Sequence, residues 1–296
     1  MKFKFRKRNP AVLKDTWLAH WRGNACSALT CARRPPWRYW LYSRSNGVQL
    51  EKNWYCSPQC FESAMQNLLS RLKSSSPHHR VHHRIPLGLL MLSRGLISES
   101  QLKLALAAQQ ASGRGKFGSW LLQLGFSTEP QVMAALGRQW SCPVVSDSIS
   151  LQCACLALLP LPLEESFGMV PLHYIESTGL LHIAFAEEID YTILFAIQQS
   201  LGYRTVPCLG TSSLIREALE KARSVPRPSE LVFETCKDKS EISRITANYV
   251  SRSRATHVRV VHCAGYLWVH LECRTMPINL LFHTARDWGS ELALQA

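Results

Sequence analysis

Apolar positions fall twice into the same pattern between residues 87 and 139. Moving the first half by 30 residues places Gly88 on Gly118, Gly95 on Gly125, Leu106 on Leu136 and Gln109 on Gln139. The same shift places Leu87 on Phe117, Met91 on Leu121, Leu102 on Val132 and Ala105 on Ala135. Ser98-x-x-Gln101 and Thr128-x-x-Gln131 also coincide, each a helix-start signal in which side chains satisfy the first unpaired amides. Each copy therefore predicts a short apolar turn, a glycine stop and an amphipathic helix of about three turns. A fixed period with matched glycines, apolar positions and glutamines marks an internal duplication.

Elsewhere the period changes. Phe61, Met65, Leu68, Leu69 and Leu72 form a helical stripe behind Ser57-Pro58, an N-cap followed by a first-turn proline. Residues 168–174 and 180–185 read as strands around the turn at Ser177-Thr178-Gly179. A helix is predicted over 191–201, a strand over 203–209 and a helix over 212–223. Glu187, Glu188 and Asp190 precede the first of these helices, where acids favour the positive helix end, and that capping role is preferred to catalysis. Val225-Pro226-Arg227-Pro228-Ser229 reads as a linker. A helix over 241–254 and strands over 257–263, 266–273 and 278–283 follow, the first two strands joined by a hairpin near Ala264-Gly265.

The predicted fold is α+β: a duplicated helical motif packed on a small α/β half-domain, preceded by a zinc segment and followed by an α+β module. The expected domains are 1–75, a His-rich linker at 76–84, 85–223 (helical to 140, α/β from 141), a linker at 224–230, and 231–296.

Charge separates the first segment from the rest. Residues 1–80 hold fifteen Lys/Arg against three acidic side chains, a surplus of +12 in a chain of net +13. Five of the nine tryptophans lie there too, with arginines among them, as in Arg33-Arg34-Pro35-Pro36-Trp37-Arg38-Tyr39-Trp40. Aromatics interleaved with Arg can stack bases and neutralise phosphates, so nucleic acid stands as an alternative partner beside the reading of these aromatics as core. Ser74-Ser75-Ser76-Pro77 and His78, His79, His82 and His83 read as a polar hinge. No apolar run reaches the roughly 18 residues of a membrane span, and the basic start lacks an apolar leader core. A cytoplasmic protein is expected, and its 11 cysteines do not suggest a disulfide framework.

Four cysteines cluster. Cys26-x4-Cys31 and Cys56-x3-Cys60 form two pairs, and four thiolates suit a closed tetrahedral zinc site. Cys60 falls in a first helical turn, where the positive helix end favours thiolate. The stretch from Tyr55 to Phe61 resembles the helix-side knuckle of treble-clef zinc fingers. Both spacings exceed the commoner two-residue gap, and cysteines packed in a small core remain the alternative.

Each duplicated copy, L-G-x2-apolar-x3-G-x6-apolar-x3-L-x2-Q, resembles the cyclic-di-GMP-binding motif of the N-terminal domain of type II secretion and type IV pilus assembly ATPases, the GspE, PilB and MshE class. The resemblance runs to about Lys221. It implies a ligand site formed by Leu87, Gly88, Met91, Leu102, Leu106 and Gln109 from the first copy. From the second come Lys116, Phe117, Gly118, Leu121, Val132, Leu136 and Gln139. A glycine at a helix start admits a flat ligand, leucines four apart offer an apolar shelf, and a cation can stack on a base or meet phosphate. The first copy departs from the pattern: Pro86 occupies the position of the cation, with Arg84 two residues earlier.

The ATPase motor is not found. Gly115-Lys116 lies nearest to a P-loop, yet Gln110 and Phe117 stand where Gly and Ser or Thr are required. The sequence thus points to a non-enzymatic regulatory module with a protein partner in a secretion or pilus system. It carries two alternatives, a zinc-dependent nucleic-acid binder and a scaffold without ligand.

Overall fold

The structure, a computed structural model, describes residues 26–28, 31, 47–72, 84–145, 155–186, 188–234, 236, 238–263 and 265–284. The basic start, Trp17, Trp21, Trp37, Trp40, the 33–40 stretch, the histidines at 78–83, Cys153 and Glu187 lie outside them. Two compact units divide the chain. One combines Met1–Ser75 with Gln199–Gly202 and Pro228–Ala296, and the other holds Ser76–Gln198 and Tyr203–Arg227.

In the first unit, β1 (Val48–Leu50), β2 (Asn53–Tyr55) and α1 (Pro58–Arg71) precede β6 (Ser229–Phe233), α9 (Lys239–Ser253), β7 (His257–Cys263), β8 (Tyr266–Glu272) and β9 (Ile278–His283). The six strands form one sheet in the order β2-β1-β7-β8-β9-β6. Strands β7, β8 and β9 are an antiparallel meander, while β6 runs parallel to β9 and β1 parallel to β7. The sequence separates residues 1–75 and 231–296 as two domains; here Gln49 and Leu50 pair with His257 and Val258 in one sheet.

The stripe on α1 explains its packing. Phe61, Met65 and Leu69 are fully buried, in one core with Ile242, Ala247 and Val250 of α9 and Val258, Leu267, Val269 and Leu280 of the sheet. Ser57 caps α1 by accepting from the Cys60 amide at 3.3 Å, with Pro58 at the first helical position. Residues 229–233, assigned partly to a linker because Pro226 and Pro228 lie just ahead of them, instead form the edge strand β6.

A buried polar trio sits in the same sheet. The Trp268 indole donates to Asn279 Oδ1 at 3.0 Å, and His270 Nδ1 meets the same oxygen at 2.8 Å. An amide oxygen only accepts, so His270 Nδ1 carries the hydrogen. Burial holds the His270 pKa below its usual value, outweighing the opposing pull of Asn279 and Glu272. A folded pKa below the unfolded one stabilises above about pH 6.5, and that contribution is lost as pH falls through the folded value. The stability of the whole chain should therefore decline on acidification below neutrality, and His270→Gln should flatten the decline. A His270→Gln chain with the wild-type pH profile in thermal melts would refute this.

The second unit opens with the duplication: α2 (Leu87–Leu92), α3 (Glu99–Ser112), α4 (Phe117–Gln123) and α5 (Glu129–Trp140). Gly95 and Gly125 both take φ +67°, the left-handed region that glycine enters without penalty. Gln101 Oε1 accepts from the Ser98 amide at 2.8 Å, and Gln131 Oε1 from the Thr128 amide at 3.0 Å. The four helices share a core of Met91, Ile97, Ala105, Leu121, Val132 and Ala135.

After the repeat, Val144 bridges to Leu209 and the chain enters an α/β part. That part holds α6 (Leu161–Phe167), β3 (Met169–Ile175), β4 (Leu180–Phe185), α7 (Tyr191–Leu201), β5 (Arg204–Leu209) and α8 (Ser212–Ser224). Strand β4 is central, antiparallel to β3 and parallel to β5. Asp190 starts α7 as a cap: its Oδ1 accepts from the Thr192 amide at 2.7 Å and the Ile193 amide at 3.4 Å. An α+β class and a cysteine cluster near the start of the chain are both present.

Candidate functional site

The duplication builds a pseudo-two-fold arrangement that can be checked atom by atom. A Cβ added at Gly88 would lie 2.6 Å from Leu102 Cδ1 and 3.1 Å from Phe117 Cε1. One added at Gly118 would lie 3.0 Å from Val132 Cγ1 and 3.5 Å from Leu87 Cδ2. The 30-residue shift converts one set into the other. Each glycine lies against both a helix of its own copy and the leading residue of the other copy, and the tight approach to Leu102 at Gly88 and to Val132 at Gly118 is one that a Cβ would crowd.

The glutamines obey the same symmetry. Gln109 Nε2 donates to the Gly115 carbonyl at 3.0 Å, and Gln139 Nε2 donates to the Ile85 carbonyl at 2.8 Å. Ile85 and Gly115 are 30 residues apart. Each copy thus clasps the lead-in of the other, with each glutamine's amide nitrogen engaged by a backbone carbonyl. Sequence reasoning assigned these side chains to a ligand and missed the reciprocal clasp. The signal for it was present in the matched glutamines, but carbonyl partners leave no mark on a sequence.

Burial divides the thirteen candidate ligand residues. Gly88, Met91, Gly118, Leu121 and Val132 are buried in the helical core; Leu87, Leu102, Gln109, Phe117, Leu136 and Gln139 are half-buried; Leu106 and Lys116 are exposed. The outward set is therefore Leu106, Lys116 and the exposed parts of the half-buried side chains. Lys116 stands immediately before α4, as Pro86 does before α2. Lys116 Nζ lies 3.7 Å from Glu188 Oε2, an exposed pair that water screens. Arg84 places its guanidinium carbon 3.3 Å from the Trp140 ring centroid, a cation–π contact. A separate open cavity of about 520 Å³ at the C-terminal end of α5 is lined by Arg94, Gly137, Arg138 and Ser141, among others. None of the thirteen candidate ligand residues is among those that line it.

The four cysteines named from the sequence come together. The Sγ atoms of Cys26, Cys31, Cys56 and Cys60 all lie within 4.8 Å of one another, and those of Cys31 and Cys56 are 3.6 Å apart. A disulfide would be near 2.05 Å, whereas thiolates about 2.3 Å from a tetrahedral zinc ion stand roughly 3.8 Å apart. Cys31 is buried and the other three are half-buried. Burial, followed by hydrogen bonds to Cys31 and Cys26, pushes the Cys56 thiol up to about 12. Burial also raises Cys60, against the lowering effect of Ser57. This donor set fits a thiophilic metal.

A duplicated helical motif followed by a small α/β sheet defines a class. About half of the chain is similar to the N-terminal domains of type II secretion and type IV pilus ATPases. Over 136 residues it is 24% identical to the type IV pilus assembly ATPase PilB of Thermus thermophilus, a match covering 46% of this chain and 15% of that protein. The chain thus spans well under a fifth of the length of this curated relative. Among solved structures, MshE with cdg is 27% identical with a TM-score of 0.42, covering 47% of this chain and 99% of that one. The N-terminal domain of XpsE is 20% identical with a TM-score of 0.33, covering 46% and 92%. No family model matches the chain. Among the described residues, no helix is long and apolar enough to cross a membrane.

Proposed function

We propose that this chain is a non-enzymatic regulatory module that binds cyclic-di-GMP through residues 87–139 and docks on a protein partner of a secretion or pilus system. The observation that supports it is the reciprocal clasp, Gln109 to Gly115 and Gln139 to Ile85. It orders two copies of one motif about a pseudo-two-fold axis, the symmetry of a cyclic dinucleotide with two guanine halves. Lys116 and Phe117 serve one half. On the other, Arg84 takes the part that Pro86 cannot, leaving Trp140 when the ligand arrives. Ligand that binds only the clasped arrangement biases the copies toward it, and the partner reads that bias. A zinc ion occupies the Cys26, Cys31, Cys56 and Cys60 cluster as a structural centre.

Titration calorimetry of the full chain with cyclic-di-GMP tests the ligand. Saturable heat is expected, lost in Lys116→Ala and weakened in Arg84→Ala. Absence of heat at ligand concentrations far above micromolar ends the proposal. An affinity that survives moderate salt separates this from phosphate-driven nucleic-acid binding, which weakens steeply.

A further inference from the structure

The cysteine cluster and the meander β7-β8-β9 are remote in sequence, yet the hairpin β1-β2 that lies between the two cysteine pairs completes the meander's sheet. We infer that metal at Cys26, Cys31, Cys56 and Cys60 is the clamp that holds this hairpin on the edge of β7, so that metal occupancy decides whether the C-terminal module is closed or has an open edge strand. The inference rests on the reading of the cluster as a metal site.

The hairpin is too small to hold itself. Its strands are three residues each, joined by Glu51-Lys52. Two-residue hairpins favour Asn-Gly, Gly-first or similar pairs, because the first central position, and in some turns both, takes left-handed backbone. Here Glu51 adopts φ +52° without glycine's freedom. An isolated two-stranded hairpin is marginal in water even with a favourable turn.

What retains Glu51 in that conformation is β7. The Glu51 amide donates to the Val258 carbonyl at 3.0 Å, and Glu51 Oε1 accepts from the Val260 amide at 3.1 Å, across 209 residues of sequence. The Gln49 amide donates to the Thr256 carbonyl at 2.9 Å. Glu51 therefore spends its main chain and its side chain on the same edge strand, and together with β1 it covers polar groups that an open β7 would expose.

The cysteines sit where a clamp must. Cys56 directly follows β2 and Cys60 lies in the first turn of α1, while Cys26 adjoins Ser27, whose amide donates to the Trp54 carbonyl of β2 at 2.9 Å. One tetrahedral ion ties Cys26 and Cys31, the end of the hairpin and the start of α1 to a single point. Helix α1 carries no acidic residue in its first turn, so its positive end is left to the thiolate of Cys60. Fixing that end orients Phe61, Met65 and Leu69 into the core shared with α9. Metal binding exchanges the thiol protons for the ion and closes the segment; metal loss returns the protons and frees hairpin and helix together.

The test uses the full chain. Metal content is measured after purification with zinc, then after chelation and after zinc is restored. Hydrogen exchange is followed in peptides covering 58–71 and 257–263, with 169–185 as internal control. The expected result is about one zinc per chain. Stripping should speed exchange in both test peptides by on the order of tenfold or more, leave the control unchanged, and be reversed by added zinc. Glu51→Ala, which leaves the cysteines intact, should keep zinc and speed exchange in 257–263 alone. If zinc binds at one per chain and its removal leaves 257–263 as protected as before, the clamp is overturned while the metal site stands. If no zinc is retained or taken up, the metal site falls and the clamp with it.

Discussion

Arg227→Ala should destabilise the unit containing the α/β part by about 3–5 kcal/mol, the loss expected when one partner of a buried ion pair is removed. The Glu164 carboxylate is completely buried and the Arg227 side chain only 9% exposed, with Nη2 3.0 Å from Oε2. The same guanidinium donates to the Leu159 carbonyl at 2.6 Å and to the Ala222 carbonyl at 3.1 Å. It therefore joins the approach to α6, the end of α8 and the residues beyond it through one rigid fork. Removing it strands a buried carboxylate and takes a donor from two carbonyls. Removing both charges together, as Glu164→Leu with Arg227→Met, should recover most of the loss, because no desolvated charge is left unpaired. The neighbouring Arg223–Glu165 pair is shorter, at 2.7 Å, but its side chains are 50% and 39% exposed. Water competes for it, and Arg223→Ala should leave stability nearly unchanged. Urea unfolding of the full chain, with hydrogen exchange in residues 161–224 as the local readout, checks the contrast. Equal effects of Arg227→Ala and Arg223→Ala would refute it.

Much of this architecture was legible because it is local. The 30-residue shift matched residues that do the same physical task twice, and Gly95 and Gly125 show it with the same left-handed φ. Alternating apolar positions likewise gave β3, β4, β7, β8 and β9 nearly to the residue. Helix α6 was not predicted: it is only seven residues long, and Pro160 caps it and Pro162 lies in its first turn, where proline is tolerated. Strand β6 was hidden by Pro226 and Pro228 just ahead of it. An edge strand that needs only β9 carries little periodicity of its own. The pairing of β1 with β7 had no local signature at all, since three residues and a turn of Glu51-Lys52 resemble neither a strand nor a hairpin. The cysteine cluster was legible from its two pairs and the capped helix behind the second. In the cradle, sequence correctly paired the two copies but could not divide residues that face outward from those that hold the copies together.

That division carries the second large effect. Leu121→Ala should lower stability by about 2–5 kcal/mol, the usual range for truncating a core leucine. Leu121 is 0% exposed, as is Met91, its counterpart in the first copy, and both share the core with Ala105, Val132 and Ala135. Two alanines already adjoin it, so the small side chains there leave little with which to refill the cavity. Leu106 presents the opposite case. It belongs to the same motif, yet it is 40% exposed, and Leu106→Ala should change stability by no more than about 0.5 kcal/mol. If the outward face of the cradle is the shelf for a guanine ring, Leu106→Ala should weaken cyclic-di-GMP in calorimetry at unchanged stability. Leu121→Ala should weaken it only as far as the folded population falls, which urea titration measures independently. A Leu121→Ala chain that stays fully stable but loses the ligand would reverse these roles. It would place the contact surface inside the helical layer, where the present packing leaves no room for it.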